Sequence, residues 1–173
     1  MGHPTLRKTA DDYPTGQVGS DHFLQLVSDL KETLAATGNG IGLAAPQINE
    51  SYRVAVIDIP DATTRYGTVT PLPFTVYVNP AITVINEEAK GYWEGCLSVP
   101  DMKGYVERPQ HIQVDYLDGS GTAQTIELEG FLATVFQHEF DHLDGLLYVD
   151  RLKDTRLFSF DSEYAEYHLA AED

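Results

Sequence analysis

The chain has 173 residues, 42% hydrophobic and 22% charged; this is globular composition for a single domain spanning residues 1–173 around one core. No apolar run reaches the roughly 18–20 residues that a membrane-spanning helix needs. Eleven Lys and Arg against 27 Asp and Glu leave a net charge of −16, a surface that repels polyanions and argues against direct nucleic-acid binding.

Residues 1–16 read as an irregular segment. From Asp21 onward, Phe23, Leu26, Val27, Leu30 and Leu34 recur at helical spacing, and Gly38-Asn39 offers a left-handed stop, so an amphipathic helix is predicted. The stretch Gly40-Ile-Gly-Leu-Ala-Ala-Pro-Gln47 superficially matches a dinucleotide-binding loop. It follows a helix instead of a strand, however, and Pro46 stops a helix from opening on phosphates. Its small residues instead let a backbone pass close to another element or a ligand, with Gln47 as a polar head.

Arg53 to Ile59 is apolar on both alternating faces, which predicts a strand covered on both sides and closed by Pro60. Asp61 to Pro73 shows no periodicity and reads as a surface loop. Strands are predicted at Phe74–Val78 and Ala81–Ile85, on either side of a bend at Asn79-Pro80. Ile112, Val114 and Tyr116 alternate with polar neighbours, Asp118 to Gly121 turns, and Ile126 and Leu128 alternate back, which is a hairpin. Phe131 to Leu143 lacks Gly and Pro, is rich in large apolar residues and ends before Gly145, predicting a second, mostly buried helix. Residues 161–173 carry Asp161, Glu163, Glu166, Glu172 and Asp173 with no Lys or Arg, an acidic C-terminal tail. Strands grouped between two helices without βαβ alternation predict an α+β fold.

The densest chemical signal is His138-Glu139-Phe140-Asp141-His142, an H-E-x-x-H string within the second predicted helix. Histidines four apart share a helix face and reach one cation, and the glutamate beside it can take a proton from water activated there. Spacing leaves the third ligand open. The position of a third histidine in the long zinc-protease pattern holds Tyr148; Glu163 and Glu166 are carboxylate candidates; Cys96 is a soft thiolate candidate. His3, His22, His111 and His168 sit in no ligand spacing. Cys96, the sole cysteine, forms no intrachain disulfide, and Met1-Gly2-His3-Pro4 lacks a secretory pattern, so a reducing, cytoplasmic setting is expected.

Gly40-Ile-Gly-Leu-Ala-Ala-Pro-Gln47, Glu94-Gly-Cys-Leu-Ser98 and Gln137-His-Glu-Phe-Asp-His-Leu143 together resemble the three signature motifs of the peptide deformylase family, in that family's order and spacing. Gly2–Arg7, Gly104–Arg108 and Asp144–Arg151 extend the likeness to about residues 2–152. The resemblance implies antiparallel sheets packed around a central metal-binding helix. It implies Cys96, His138 and His142 as ligands of one divalent metal, with water in the fourth position: Fe(II), with nickel, cobalt or zinc as substitutes. Glu139 becomes general base and then general acid, while Gln47 and the Leu97 N–H hold the oxygen of the tetrahedral intermediate. The implied substrates are N-formylmethionyl nascent peptides, and formate is released.

On the same footing, Gly40, Ile41 and Gly42 offer backbone hydrogen bonds to the peptide, and Ile41, Phe131 and Val135 line a methionine pocket. Glu94, Arg108 and Asp141 are typed either to orient the ligands or to form a structural ion pair. Tyr92 and Trp93 suit core or pocket wall. Two departures stand out: relatives carry a short strand ahead of the Gly2-His-Pro start, so a shortened or processed beginning is expected, and an acidic tail replaces a basic ribosome-docking helix. Weak or transient ribosome contact and a monomer are therefore expected. The competing readings are an H-E-x-x-H metalloprotease, in which Cys96→Ser retains metal, and a catalytically silent deformylase-like peptide-binding module.

Overall fold

The structure, a computed structural model, describes residues 1–60, 63–64, 67–68 and 71–169. Helix α1 (Asp21–Ala36) forms where the apolar spacing placed it. The Ser20 hydroxyl accepts a hydrogen bond from the Phe23 N–H at 3.3 Å, and Gly38, at φ +76°, ends the helix. Its buried face of Phe23, Leu26, Leu30 and Leu34 packs on Val54, Val56 and Val78.

Those three valines belong to an antiparallel sheet of six strands. The path runs from β1 (Gly42–Ala44) through β2 (Val54–Ile59) to the long β5 (Leu72–Cys96) and β6 (Val99–Leu117), and then to β7 (Ala123–Glu129). Strand β2 is covered on both sides as expected: Val54 and Val56 face α1, whereas Ala55, Ile57 and Ile59 face a second core. Between β2 and β5, the reading of Asp61–Pro73 as a plain loop needs correction. β3 (Thr63–Thr64) pairs with β4 (Gly67–Thr68), and β5 has started by Leu72. Residues 61–62, 65–66 and 69–70 lie outside the described residues.

Strand β5 (Leu72–Cys96) replaces the two short strands that were expected. The bend at Asn79-Pro80 exists, with Asn79 at φ +49° and a register shift between Val78 and Ala81, but the ladder continues through it. The Asn79 side chain secures the bend by accepting from the Tyr13 N–H at 2.7 Å and donating to the Tyr13 carbonyl at 2.9 Å. This ties down the irregular N-terminal segment, whose regular parts are 3₁₀ turns at Pro4–Arg7 and Thr15–Gln17. Strand β6 (Val99–Leu117) runs back along β5 and then forms the expected hairpin with β7 (Ala123–Glu129), pairing Ile112 with Leu128 and Val114 with Ile126.

Helix α2 (Gly130–Asp141) lies on the sheet face opposite α1, burying Ala133, Val135, Phe136 and Phe140 against Ala55, Ile57, Tyr77, Ile112 and Val114. Its last turn tightens to 3₁₀ at His142–Asp144 and ends at Gly145, φ +72°. A Cβ at Gly145 would come within 2.9 Å of the Arg7 and Lys8 backbone, so both the dihedral and the close approach require glycine. Residues 161–169 of the acidic tail are more ordered than their composition suggested, and residues 170–173 lie outside the described residues. After β8 (Phe158–Phe160), which pairs with β6, α3 (Asp161–Tyr167) folds back so that Tyr164 and His168 pack on the buried Trp93, with ring centroids 5.0 and 4.5 Å away. Aromatic residues interleaved with the carboxylates supply the apolar anchor. No helix among the described residues is long and apolar enough to cross a membrane.

Candidate active site

The long β5–β6 hairpin closes through Leu97 and Ser98, with Cys96 paired to Val99. Its tip delivers the thiol to α2, where the two histidines of the H-E-x-x-H string lie one above the other, ring centroids 5.3 Å apart. Cys96 Sγ is 3.3 Å from His142 Nε2, and the donor atoms of Cys96, His138 and His142 all fall within 4.8 Å of one another. The structure therefore groups Cys96 with the histidine pair, whereas Glu163 and Glu166 stand exposed on α3. Tyr148 is no ligand; its ring stacks on His138 at 6.1 Å.

A thiolate with two imidazoles is a donor set that iron and zinc both accept. The surroundings fit a cation as well. Glu94 Oε2 accepts a hydrogen bond from the His138 Nδ1–H at 2.7 Å, which leaves the Nε2 lone pair of that ring for a cation. Burial pushes His142 down to about 3, so its imidazole is neutral as a ligand must be. Burial works to raise Glu94, but hydrogen bonds from His138 and Arg108 outweigh it and keep the carboxylate ionised. Arg108 grips Glu94 with two nitrogens at 2.7 and 3.0 Å and reaches Asp141 with the third at 2.8 Å, all three side chains being buried.

Glu139 Oε2 is buried without a hydrogen-bond partner. Desolvation pushes this carboxyl up to about 7. An orphaned carboxylate oxygen beside three metal donors is placed to exchange a proton with a small molecule there. Gly42 makes room for it: a Cβ at that position would lie 2.5 Å from the Glu139 carboxyl carbon. The small residues of the Gly40–Gln47 stretch thus do permit a close approach, here to the carboxylate of α2. Gln47 Oε1 accepts from the Ala44 N–H at 2.8 Å, so its amide nitrogen must face outward, 3.2 Å from Ser98 Oγ and 3.9 Å from Cys96 Sγ. The Leu97 N–H sits in the hairpin turn beside them, outside the ladder.

These groups open into one cleft of about 800 Å³, lined also by Gly40, Ile41, Phe131, Val135 and Tyr92. Gly42, Gln47, Cys96, Leu97, His138 and Glu139 line it as well, His142 lies beside Cys96, and Arg108 and Asp141 stand behind the two histidines. Strand β1 ends the sheet, so among the described residues the outer edge of Gly42–Ala44 has no strand partner. Sequence reasoning missed Met102, Lys103 and Asp161 as lining residues, and Arg151, which also binds Asp141. No local pattern marks them, because β6–β8 pairing and the turn after α2 bring them in. It also left His111 without partners; hairpin register puts its Nε2 2.5 Å from Glu127 and 3.7 Å from Glu129 on an exposed face.

Comparison with known proteins agrees with this geometry. The family model described as polypeptide deformylase matches residues 1–157. A peptide deformylase of Leptospira biflexa is 41% identical over 94% of this chain and 90% of its own length. Among solved structures, the Met-Ala-Ser-bound class I type b peptide deformylase of Acinetobacter baumannii superposes with a TM-score of 0.81 at 35% identity, covering 88% of this chain and 94% of that one. A peptide deformylase of Synechococcus elongatus in complex with actinonin gives 0.75 at 34% identity, over 88% and 76% of the two chains.

Proposed function

This chain belongs to the polypeptide deformylase family, and from that premise we propose that it hydrolyses the terminal formamide of N-formylmethionyl nascent peptides, releasing formate and a free α-amine. The observation that carries the proposal is the meeting of Cys96, on a hairpin tip, with the H-E-x-x-H pair of α2. It distinguishes this site from proteases whose third ligand is a histidine or carboxylate.

Cys96, His138 and His142 would hold one divalent metal, which when bound supplies Lewis acidity toward a carbonyl oxygen and toward water. We take Fe(II) as the metal in the cell, with nickel, cobalt and zinc as substitutes, since this donor set admits all four. Glu139 accepts the proton of the attacking water at its unpartnered oxygen and passes it to the departing amine nitrogen as the formyl C–N bond breaks. The Gln47 amide, its direction set by Ala44, and the Leu97 N–H donate to the oxygen that gains charge during attack. Donors already oriented cost no reorganisation at that moment.

The peptide lies along the free edge of β1, using backbone groups of Gly40, Ile41 and Gly42, and its methionine side chain enters among Ile41, Phe131 and Val135. A formyl carbon bears only hydrogen, so a tight site admits it and excludes an internal peptide carbonyl. Glu94, Arg108 and Asp141 orient the ligands through the hydrogen bonds described above. The net charge of −16 supports weak or transient ribosome contact and no direct nucleic-acid binding. We read the chain as one catalytic domain, a cytoplasmic monomer.

The test is formate release from formyl-Met-Ala-Ser by anaerobically purified protein, with an unformylated peptide cut internally as the contrast. Formate with about one metal per chain is expected; full metal content without formate, or internal cleavage, would overturn the proposal. Gly42→Ala should retain metal and lose about 100-fold in formate release, because its methyl group displaces the Glu139 carboxylate by an ångström or so. Activity within threefold of wild type would show that Glu139 does not need that position.

A further inference from the structure

The ion pairs behind the ligands run on past Arg108 to the protein surface. Arg151 grips Asp141 with a fork, Nη2 to Oδ1 at 2.6 Å and Nε to Oδ2 at 3.2 Å. Asp141 Oδ2 also accepts from Arg108 Nη1 at 2.8 Å, and the other nitrogens of Arg108 hold Glu94, whose Oε2 accepts from the His138 Nδ1–H. The side chains of Glu94, Arg108 and Asp141 are 6, 4 and 7% exposed, whereas that of Arg151 is 47% exposed. Two buried carboxylates therefore share Arg108, and a cation at the surface compensates the second.

We propose that Arg151 is a positioning residue for His138, and through it for retention of the metal; this rests on the metal-site reading above. The guanidinium of Arg108 is rigid and planar, so it cannot turn toward one carboxylate without leaving the other. Without Arg151, the buried charge of Asp141 falls to Arg108 alone, which is drawn off Glu94, and Glu94 loosens its hold on the His138 ring. Arg151 is itself well placed to anchor. It closes the 3₁₀ turn Tyr148–Arg151, in which Asp150 accepts from the Leu147 N–H at 2.8 Å and pairs with Arg7 of the N-terminal segment. Direct hydrogen-bond partners of ligating histidines set metal affinity by roughly 10–100-fold, and a residue three contacts further out acts by the same route more weakly.

The experiment compares cobalt-loaded wild type, Arg151→Met and Arg151→Lys for cobalt loss to a chelator and for the visible absorption of the bound ion. Arg151→Met should speed loss by about threefold to tenfold and shift the cobalt bands. Arg151→Lys, keeping the charge but not the fork, should fall between it and wild type. The double variant Asp141→Asn/Arg151→Met should lose cobalt no faster than Asp141→Asn alone, because both act along one path. An Arg151→Met protein that melts earlier yet keeps the wild-type loss rate and spectrum has a structural arginine only, and additive effects in the double variant would equally overturn the proposal. Wild type that takes up no cobalt would sink the metal-site reading and this proposal together. Wild type that binds cobalt but releases no formate would sink the deformylase reading alone.

Discussion

Glu139→Gln should leave a protein that folds and binds its metal but releases formate about 10²–10⁴-fold more slowly, the range that a positioned acid–base group contributes. The substitution keeps size and shape, so it tests proton transfer and not packing. Glu139 is buried, its Oε2 has no partner, and Gly42 leaves the carboxylate the space it occupies. No other carboxylate lining the cleft has that freedom close to the ligands: Glu94 is committed to Arg108 and His138. Metal content and formate release measured on the same preparation separate the two roles. A Gln variant within tenfold of wild type would remove Glu139 from the chemistry, and one that had lost its metal would make it a structural member of the site.

Arg108→Met should cost about 3–5 kcal/mol of folding stability, because it leaves buried carboxylates without their cation. Glu94 would keep only His138, and Asp141 only the half-exposed Arg151. The expected loss comes from charge stranded in the interior more than from missing contacts, since Met fills much of the same volume. Adding Glu94→Gln to Arg108→Met should therefore recover part of it. Urea denaturation of metal-free protein reads both values without interference from ligand binding. A loss below about 1 kcal/mol would mean that water reaches the network and screens it.

Spacings of 3.6 and two residues placed α1 and the β6–β7 hairpin, while unbroken apolar runs bounded by Pro60 and Gly145 placed β2 and α2; all four are written in neighbours along the chain. The same local geometry put His138 and His142 on one face with Glu139 beside them, and the three motifs read together pointed to the family. The central stretch of β5 and β6 was invisible for the converse reason. Asn86 to Lys90 is polar and exposed, so no buried face imprints an alternation, and pairing between the two strands makes the ladder. The acidic run at the C-terminus concealed α3 in a similar way, its order resting on Tyr164 reaching a tryptophan far along the chain.

Ligand type and spacing narrowed the metal centre to two histidines and left Cys96, Glu163 and Glu166 competing for the third place. That choice belongs to sheet register, which carries Cys96 to a hairpin tip 46 residues from its partner His142. Gln47 likewise acquires its direction from a hydrogen bond to Ala44 and its neighbours from a strand 49 residues on. The Arg151–Asp141–Arg108–Glu94–His138 chain joins α2, β5, β6 and the turn beyond α2. Side-chain chemistry and helical spacing are properties of the chain over a few residues, and they suffice to say which groups can act. Which of them act together depends on contacts between segments that share no local pattern, and those exist only once the core has packed.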